Sequence, residues 1–423
     1  MKFSEELKWR GLLENESHSE VYEKIDNGSL KFYIGFDPTA SSIQIGNFLG
    51  VVLMKRMQEK GHTPYILVGG ATGMIGDPSG KNAERNLLDN ETLDKNIKSV
   101  KEQLSKFLSF EGKNAAVVVN NNDWIGKFSY LDFLRTVGKR FRLTEMLAKD
   151  SVKSRISSES GISYTEFSYQ MIQAYDFAYL YKEHNVTLQM GGGDQWGNIT
   201  AGIDLTRKLH QAQVFGIVTP LVTDSQGKKF GKSEGGKTIY LDQEMTGPYE
   251  MYQYLLNSDD SSVIKYLKYY TFLSIEEIQA LEKEVEETPH KRTAQKVLAE
   301  KVVEMVHGDE GLDSAKRATS FFFGGAIENI SDKEVESIFG DVPSVSLSRQ
   351  DLIAGIPIVN LLSQTPLFKS KKEARRSLEQ NGVYINNLAI EGSEVLINEK
   401  NLASESALVI RKGKKNYCVV TFS

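Results

Sequence analysis

From Lys31 to Gly50 the chain reads KFYIGFDPTASSIQIGNFLG. Phe32 and Ile34 alternate with Tyr33, the period-two pattern of a short strand. Gly35 breaks the pattern and Asp37-Pro38-Thr39 turns the chain. A helix then restarts near Gly46, with Phe48, Leu49, Val51, Val52 and Leu53 as its apolar positions. A strand, a glycine turn and a helix N-terminus present free backbone N–H groups and the positive end of a helix to whatever sits in the turn, which suits an anion. An ordinary strand-to-helix crossover has the same pattern.

The rhythm continues downstream. Pro64 to Gly70 (PYILVGG), Ala115 to Val119 (AAVVV), Val186 to Met190 (VTLQM) and Gly216 to Val222 (GIVTPLV) read as buried strands bounded by Pro, Gly or polar residues. Ile97, Val100, Leu104, Phe107 and Leu108, and then Asn198 to Leu209, have helical spacing. Strands that alternate with helices and close in glycine turns indicate an α/β fold with a parallel sheet covered on both faces. This domain is expected over residues 1–225, interrupted by an insertion at about 121–160 that begins NNNDWIGKF. Residues 226–246 read as a loop and connection, and 247–320 as a helical domain with a break at Gly308. Residues 321–350, with glycine pairs and Pro343, read as a weakly packed linker, and 351–423 as a compact tail module.

Charge changes this picture at one end. The chain of 423 residues carries a net −5, yet residues 366–423 hold seven Lys and three Arg against six Glu. A basic module on an acidic body points to a local polyanion contact, or to a solvated surface of uneven charge. Cys418 is the single cysteine, so intrachain disulfides and a cysteine metal cluster are excluded, and six scattered histidines do not suggest zinc. The charged start, MKFSEELKWR, does not resemble a signal peptide, and no apolar run approaches the roughly 20 residues that span a bilayer. A cytoplasmic protein with no membrane contact is expected.

Three stretches carry candidate chemistry. In SYTEFSYQMIQAYDFAYLY, Tyr169, Gln173 and Asp176 fall at i, i+4 and i+7, one polar row on an otherwise apolar helix. Such a row serves a partner helix, a small polar ligand or an internal hydrogen-bond network. In GGGDQWGN (191–198), glycines at a strand end let backbone approach a ligand, while Asp194 and Gln195 offer a ribose acceptor and an amide. GKKFGKSEGG (227–236) places Lys228, Lys229 and Lys232 between glycines, as a loop that closes over phosphates or as an exposed basic turn. GDPSGKNAER adds Asp77, Lys81 and Arg85, and no Walker A spacing is present.

YIGFDPTA, VGGATGMIGDPSGK, FSYQMIQAYDF, GGDQWGNITAG and KFGKS, in this order and spacing, resemble bacterial tyrosyl-tRNA synthetases, over nearly the whole chain. The resemblance implies a class I Rossmann-type catalytic domain with a dimerising insertion, and a helical anticodon-side domain. The tail, with KSKKEARRSLEQNGVYINN and RKGKKNYCVV, is similar to a small α+β RNA-binding module shared with a ribosomal small-subunit protein. Lys371, Lys372, Arg375 and Arg376 would repeat on a helix capped by Asn381-Gly382, with Arg411, Lys412, Lys414 and Lys415 nearby. The implied activity is two-step tyrosine–tRNA ligation, with ATP and its Mg2+, L-tyrosine and tRNA(Tyr) as partners and a homodimer as the working form. By the resemblance, Tyr33 and Asp176 hold the phenol hydroxyl, Tyr169, Gln173 and Asp77 the amino group, and Gln195 faces the carboxylate. Gly35, Asp37, Thr39, Gly46, Gly192 and Asp194 line the nucleotide, with Lys81 and Arg85 as further candidates. Lys229, Lys232 and Ser233 reach pyrophosphate from the mobile loop.

The sequence departs from the family at one place. The usual His-x-Gly-His is Gln44-Ile45-Gly46-Asn47. Glutamine and asparagine still donate neutral hydrogen bonds to phosphate, and neither carries a positive charge. Activity is expected to survive, with the histidines acting as donors. The competing expectations are a catalytically weakened relative that binds tyrosine or structured RNA, and a nucleotidyltransferase of the same architecture acting on another carboxylate.

Overall fold

The computed structural model describes residues 1–79, 88–157, 161–233, 235–328, 330–340, 342–414 and 416–423. The chain divides into two units, Met1–Thr246 with Leu255–Met305, and Gly247–Tyr254 with Val306–Ser423.

The first unit is built on a six-stranded sheet. Its strands are β1 (Asn15–Glu16), β2 (Lys31–Phe36), β3 (Thr63–Val68), β4 (Val117–Asn120), β5 (Leu188–Gly192) and β6 (Phe215–Thr219). The order is β1-β6-β5-β2-β3-β4, with β2 to β6 parallel and β1 antiparallel at the edge. Phe32, Tyr33 and Ile34 are all buried, so β2 has no wet face. Helices cover both sides of a parallel sheet, and alternation therefore does not mark an exposed edge here. From β2 the chain steps outward to β3 and β4, and β5 and β6 fill the other side. The switch point lies between β2 and β5, where Tyr33 pairs with Gln189. Open α/β sheets bind ligands at the strand C-termini beside such a point.

Five helices matter for the site: α1 (Phe48–Glu59), α2 (Asn90–Leu104), α3 (Tyr164–His184), α4 (Trp196–His210) and α5 (Asp260–Tyr270). The Ser163 hydroxyl caps α3 by accepting from the Glu166 N–H, and Asn185 ends it at φ 57°. The expected insertion carries short helices at Asn122–Ile125, Tyr130–Thr136, Leu143–Leu147 and Asp150–Ile156. Its opening residues belong to the core instead: Asn121 is buried, and Trp124 packs with Tyr33, Tyr65, Leu67 and Phe177.

The expected boundary at 247 is drawn differently in the structure, because residues 255–305 pack with the first unit. The Arg10 guanidinium donates to the Lys268 and Leu273 carbonyls (3.4 and 2.7 Å), and that of Arg56 to the Thr271 carbonyl. Two buried arginines thereby satisfy the Lys268 carbonyl in the last turn of α5 and two carbonyls of the segment that follows it. Periodicity identifies such a helix without saying which core it covers. The break expected at Gly308 is present, at φ 73° and ψ −178°.

The second unit contains α6 (Asp332–Phe339), α7 (Lys371–Glu379) and strands β7 (Ser344–Leu347), β8 (Val383–Ile385), β9 (Leu388–Ala389), β10 (Ala407–Lys412) and β11 (Asn416–Phe422). They form a sheet in the order β9-β8-β10-β11-β7, antiparallel except for β11 with β7. Residues 321–350 are not a weakly packed linker. Ile327, Ile330, Val335, Ile338 and Phe339 share a core with Val409, Tyr417 and Val419. The Ser331/Glu334 capping box starts α6, and β7 completes the sheet. The polar runs between these apolar positions disguise them in the sequence. Cys418 is buried on β11, and burial pushes its thiol up to about 11. Among the described residues no helix is long and apolar enough to cross a membrane.

Candidate active site

Asp176 projects from α3 and is 1 % exposed. One carboxylate oxygen accepts from the Trp124 indole N–H (2.8 Å) and the other from the Asn121 amide (3.0 Å). The same amide nitrogen donates to the Thr72 hydroxyl (3.1 Å), and the Asn121 carbonyl oxygen accepts from the Ala71 N–H (2.7 Å). Thr72 donates to one oxygen of Asp37 (2.8 Å), and the Tyr169 hydroxyl donates to the other (2.9 Å). Burial raises the Asp176 carboxyl to about 8, against the pull of the two donated hydrogen bonds. Burial and Asp176 together push the Tyr33 phenol well above its ordinary value. The buried Tyr33 hydroxyl has no hydrogen-bond partner among the described residues, and the same holds for the side-chain oxygens of Gln173 and Gln189. Native proteins rarely leave buried polar groups in that condition without a ligand or water to meet them.

A second network runs beside the first. Gln195 donates to one oxygen of Asp77 (2.7 Å), whose other oxygen accepts from the Ser79 N–H (2.9 Å). The Gln195 carbonyl oxygen accepts from Gln173 (3.2 Å) and Asn198 (3.3 Å). Tyr33, Tyr169, Gln173, Asp176, Asp77 and Gln195 are thus gathered where the sequence places a single small ligand. Asp37, expected at the nucleotide, has its carboxylate engaged by Thr72 and Tyr169. A Cβ on Gly69 would collide with Asp37 and Thr72, so glycine is required there.

On the nucleotide side, Gly35, Thr39, Gln44 and Asn47 are exposed, and Gly192 lies beside the half-buried Asp194. Burial raises the Asp194 carboxyl, opposed by Lys229, whose ammonium lies 3.7 Å away. Lys232 is exposed, and the Ser233 N–H donates to the Lys237 carbonyl within the loop turn. Gly46, expected at the nucleotide, lies against the basic loop as well: a Cβ there would stand 2.8 Å from the Phe230 carbonyl oxygen. Lys81 and Arg85 lie outside the described residues.

In the second unit, Lys371, Lys372, Arg375 and Arg376 are all exposed on α7. Asn381, at φ 51°, takes the left-handed position after the helix, and Gly382 follows it. Arg411 is committed to structure: it lies over the Tyr384 ring (3.7 Å) and donates to Asn387 (2.7 Å). Lys412 donates to the Leu367 carbonyl and to Glu373, both at 2.8 Å. Lys414 is exposed, and Lys415 lies outside the described residues.

Sequence reasoning missed Thr72, Asn121 and Trp124. The available signal was position: Asn121 and Trp124 directly follow β4, at the end of the sheet where ligands bind.

A parallel sheet with a buried carboxylate at its switch point and a lysine loop beside a second carboxylate matches an adenylate-forming enzyme. The chain belongs to the family described as tRNA synthetases class I (W and Y), whose profile matches residues 25–324. Residues 334–420 match a domain described as Tyrosine--tRNA ligase SYY-like C-terminal domain. Similar relatives are the Tyrosine--tRNA ligase of Rhodopirellula baltica, 47% identical over 98% of this chain and 95% of that one, and Tyrosine--tRNA ligase 1 of Bacillus cereus, 46% identical over the full length of both. A solved C-terminally truncated mitochondrial tyrosyl-tRNA synthetase from Aspergillus nidulans is 30% identical, with a TM-score of 0.68 over 75% of this chain and 93% of that one.

Proposed function

We propose that the chain is a tyrosine–tRNA ligase. A tyrosine carboxylate oxygen attacks the α-phosphorus of ATP, the bond to the α–β bridging oxygen breaks, and pyrophosphate leaves. The 3'-terminal ribose hydroxyl of tRNA(Tyr) then attacks the acyl carbon and AMP leaves. Neither step needs a protein nucleophile, so catalysis is positioning and stabilisation of charge on the phosphate oxygens.

The observation that carries this reading is the Tyr33 hydroxyl, which has no partner among the described residues, beside the buried Asp176 carboxyl. A substrate phenol would meet the Tyr33 hydroxyl and join Trp124 and Asn121 on Asp176, whereas phenylalanine would leave the Tyr33 hydroxyl unmet, which is costly in a dry site. Tyr169, Gln173 and Asp77 would receive the ammonium group, and Gln195, held by Asp77, would face the carboxylate. Gly35, Asp37, Thr39, Gln44, Gly46, Asn47, Gly192 and Asp194 would line ATP, entering as its magnesium complex, with Lys229, Lys232 and Ser233 at the pyrophosphate end. The exposed basic face of α7 would contact tRNA. Tyr130, Leu131 and Leu143 of the insertion, with Tyr164 at the start of α3, each at least 60 % exposed, support a second copy docking there in a cytoplasmic homodimer.

Pyrophosphate exchange with each amino acid tests the proposal. Exchange with tyrosine alone is expected. No exchange, or exchange with a different acid, would overturn it.

A further inference from the structure

Phe230, the aromatic residue of KFGKS, is only 9 % exposed, whereas Lys228, Lys229 and Lys232 around it are exposed. Its ring packs on two residues of α5, Tyr266 and Tyr270, with centroids 4.5 and 5.7 Å away. These residues are four positions apart, hence on one helix face. The base of the loop is tied to the same helix. The Thr223 carbonyl accepts from the Tyr266 hydroxyl and from the Lys265 ammonium, both at 2.9 Å. Tyr270 also reaches the other phosphate-side element. Its hydroxyl donates to the Ile45 carbonyl (3.2 Å), between Gln44 and Gly46, and its ring stacks on Phe48 at the start of α1 (6.2 Å, 10°). The Ile45 N–H donates to the Ile239 carbonyl (2.9 Å), closing the ring of contacts between turn and loop.

We propose that Tyr266 and Tyr270 are positioning residues for adenylate formation. By seating Phe230 on α5 and holding the Ile45 carbonyl, they set where Lys229 and Lys232 stand relative to Gln44 and Asn47. The inference rests on the reading of those four residues as the ATP side of the site. The lysines are exposed on the loop, and Phe230 is its buried anchor. Without that anchor, the ammonium groups would sample positions away from the departing pyrophosphate. The hydrogen bonds described for Asp176, Asp37 and Asp77 run through other residues, so the effect should fall on ATP and spare tyrosine.

The test is tyrosine-dependent pyrophosphate exchange by the full-length chain, with KM measured separately for ATP and tyrosine. Phe230→Leu and Tyr270→Leu should each lower kcat/KM for ATP by about three- to tenfold, from loss of one aromatic contact. KM for tyrosine should stay unchanged. The double variant should be no worse than the more severe single, because both remove the same anchor. Tyr270→Phe keeps the ring under Phe230 but releases the Ile45 carbonyl, and should recover only part of the loss. Tyr266→Phe deletes only the hydroxyl on Thr223 and opens no cavity. It should still cost about two- to tenfold on the ATP side, which keeps the proposal testable if Tyr270→Leu fails to fold. Multiplicative losses in the double variant, a KM for tyrosine that moves in step with that for ATP, or an unchanged Tyr266→Phe would each overturn the proposal. Absence of exchange in the unsubstituted chain would overturn the reading of the site itself, and is separable because it precedes any variant.

Discussion

Asp176 is held between an indole and an amide at the centre of the first unit, and its acidity has a consequence for stability. Its native value of about 8 lies above the ordinary 3.8. Between those two pH values the folded chain keeps a proton that the unfolded chain has released. Unfolding free energy therefore falls as pH rises through that window, by up to about 1.4 kcal/mol per pH unit from this group. Urea titrations of the tyrosine-free protein between pH 5 and 8 should show this decline, and Asp176→Asn should remove it whatever its absolute stability. Equal slopes in the two proteins would contradict the raised value. Gln44 and Asn47 make a different prediction. Both are exposed and neutral, and if they act as hydrogen-bond donors, Gln44→His with Asn47→His should change the rate of pyrophosphate exchange by less than about tenfold. A gain of several orders of magnitude would show that the native residues cripple the site. Much at this scale was legible. The i, i+4, i+7 spacing placed Tyr169, Gln173 and Asp176 on one face, and they are on it. The Asp176 partners Asn121 and Trp124, and Thr72 behind Asn121, were not legible, because each arrives from another strand end and nothing local in the sequence pairs them.

At the scale of elements, every strand expected in the parallel sheet is present within a few residues, because buried runs bounded by glycine and proline mark such strands well. What the pattern did not resolve was allegiance. α5 has ordinary helical periodicity, yet it packs under the basic loop and receives Arg10 and Arg56 from elements more than 200 positions earlier. The packing of Gly46 was illegible for a related reason. Its neighbour, Phe230, comes from far along the chain. Gly46→Ala would place a methyl group against the Phe230 carbonyl, and the carbonyl is backbone with little room to yield. Exchange should fall by roughly tenfold or more with KM for tyrosine unchanged, following the cost of about 1–3 kcal/mol for overpacking a close contact. A wild-type KM for ATP and a wild-type rate in this variant would show that the loop does not rest on the turn during catalysis.

At the scale of the whole molecule, the second unit does not begin where the basic tail does. A chain ending at residue 350 would keep α6 and β7 but lose β11, leaving β7 without its partner and Phe339, Val335 and Ile327 without Val409, Tyr417 and Val419. An unpaired strand edge over an uncovered apolar face favours aggregation. A chain ending near 324, where the catalytic family match stops, avoids the strand. The shorter chain should remain soluble by gel filtration, retain tyrosine-dependent exchange and lose salt-sensitive tRNA charging, while the longer one should precipitate. The reverse order of solubility would show that residues 321–350 are indeed a connection.

The solitary cysteine of this protein offers a built-in reporter. Cys418 is interior to β11, and its thiol titrates near 11, so at neutral pH it is both shielded and almost wholly un-ionised. A maleimide or disulfide reagent should reach it only when the tail module opens. Labelling rates therefore give the opening equilibrium of that module in an otherwise unaltered enzyme, and a tRNA that grips α7 should slow the reaction while tyrosine and ATP leave it unchanged.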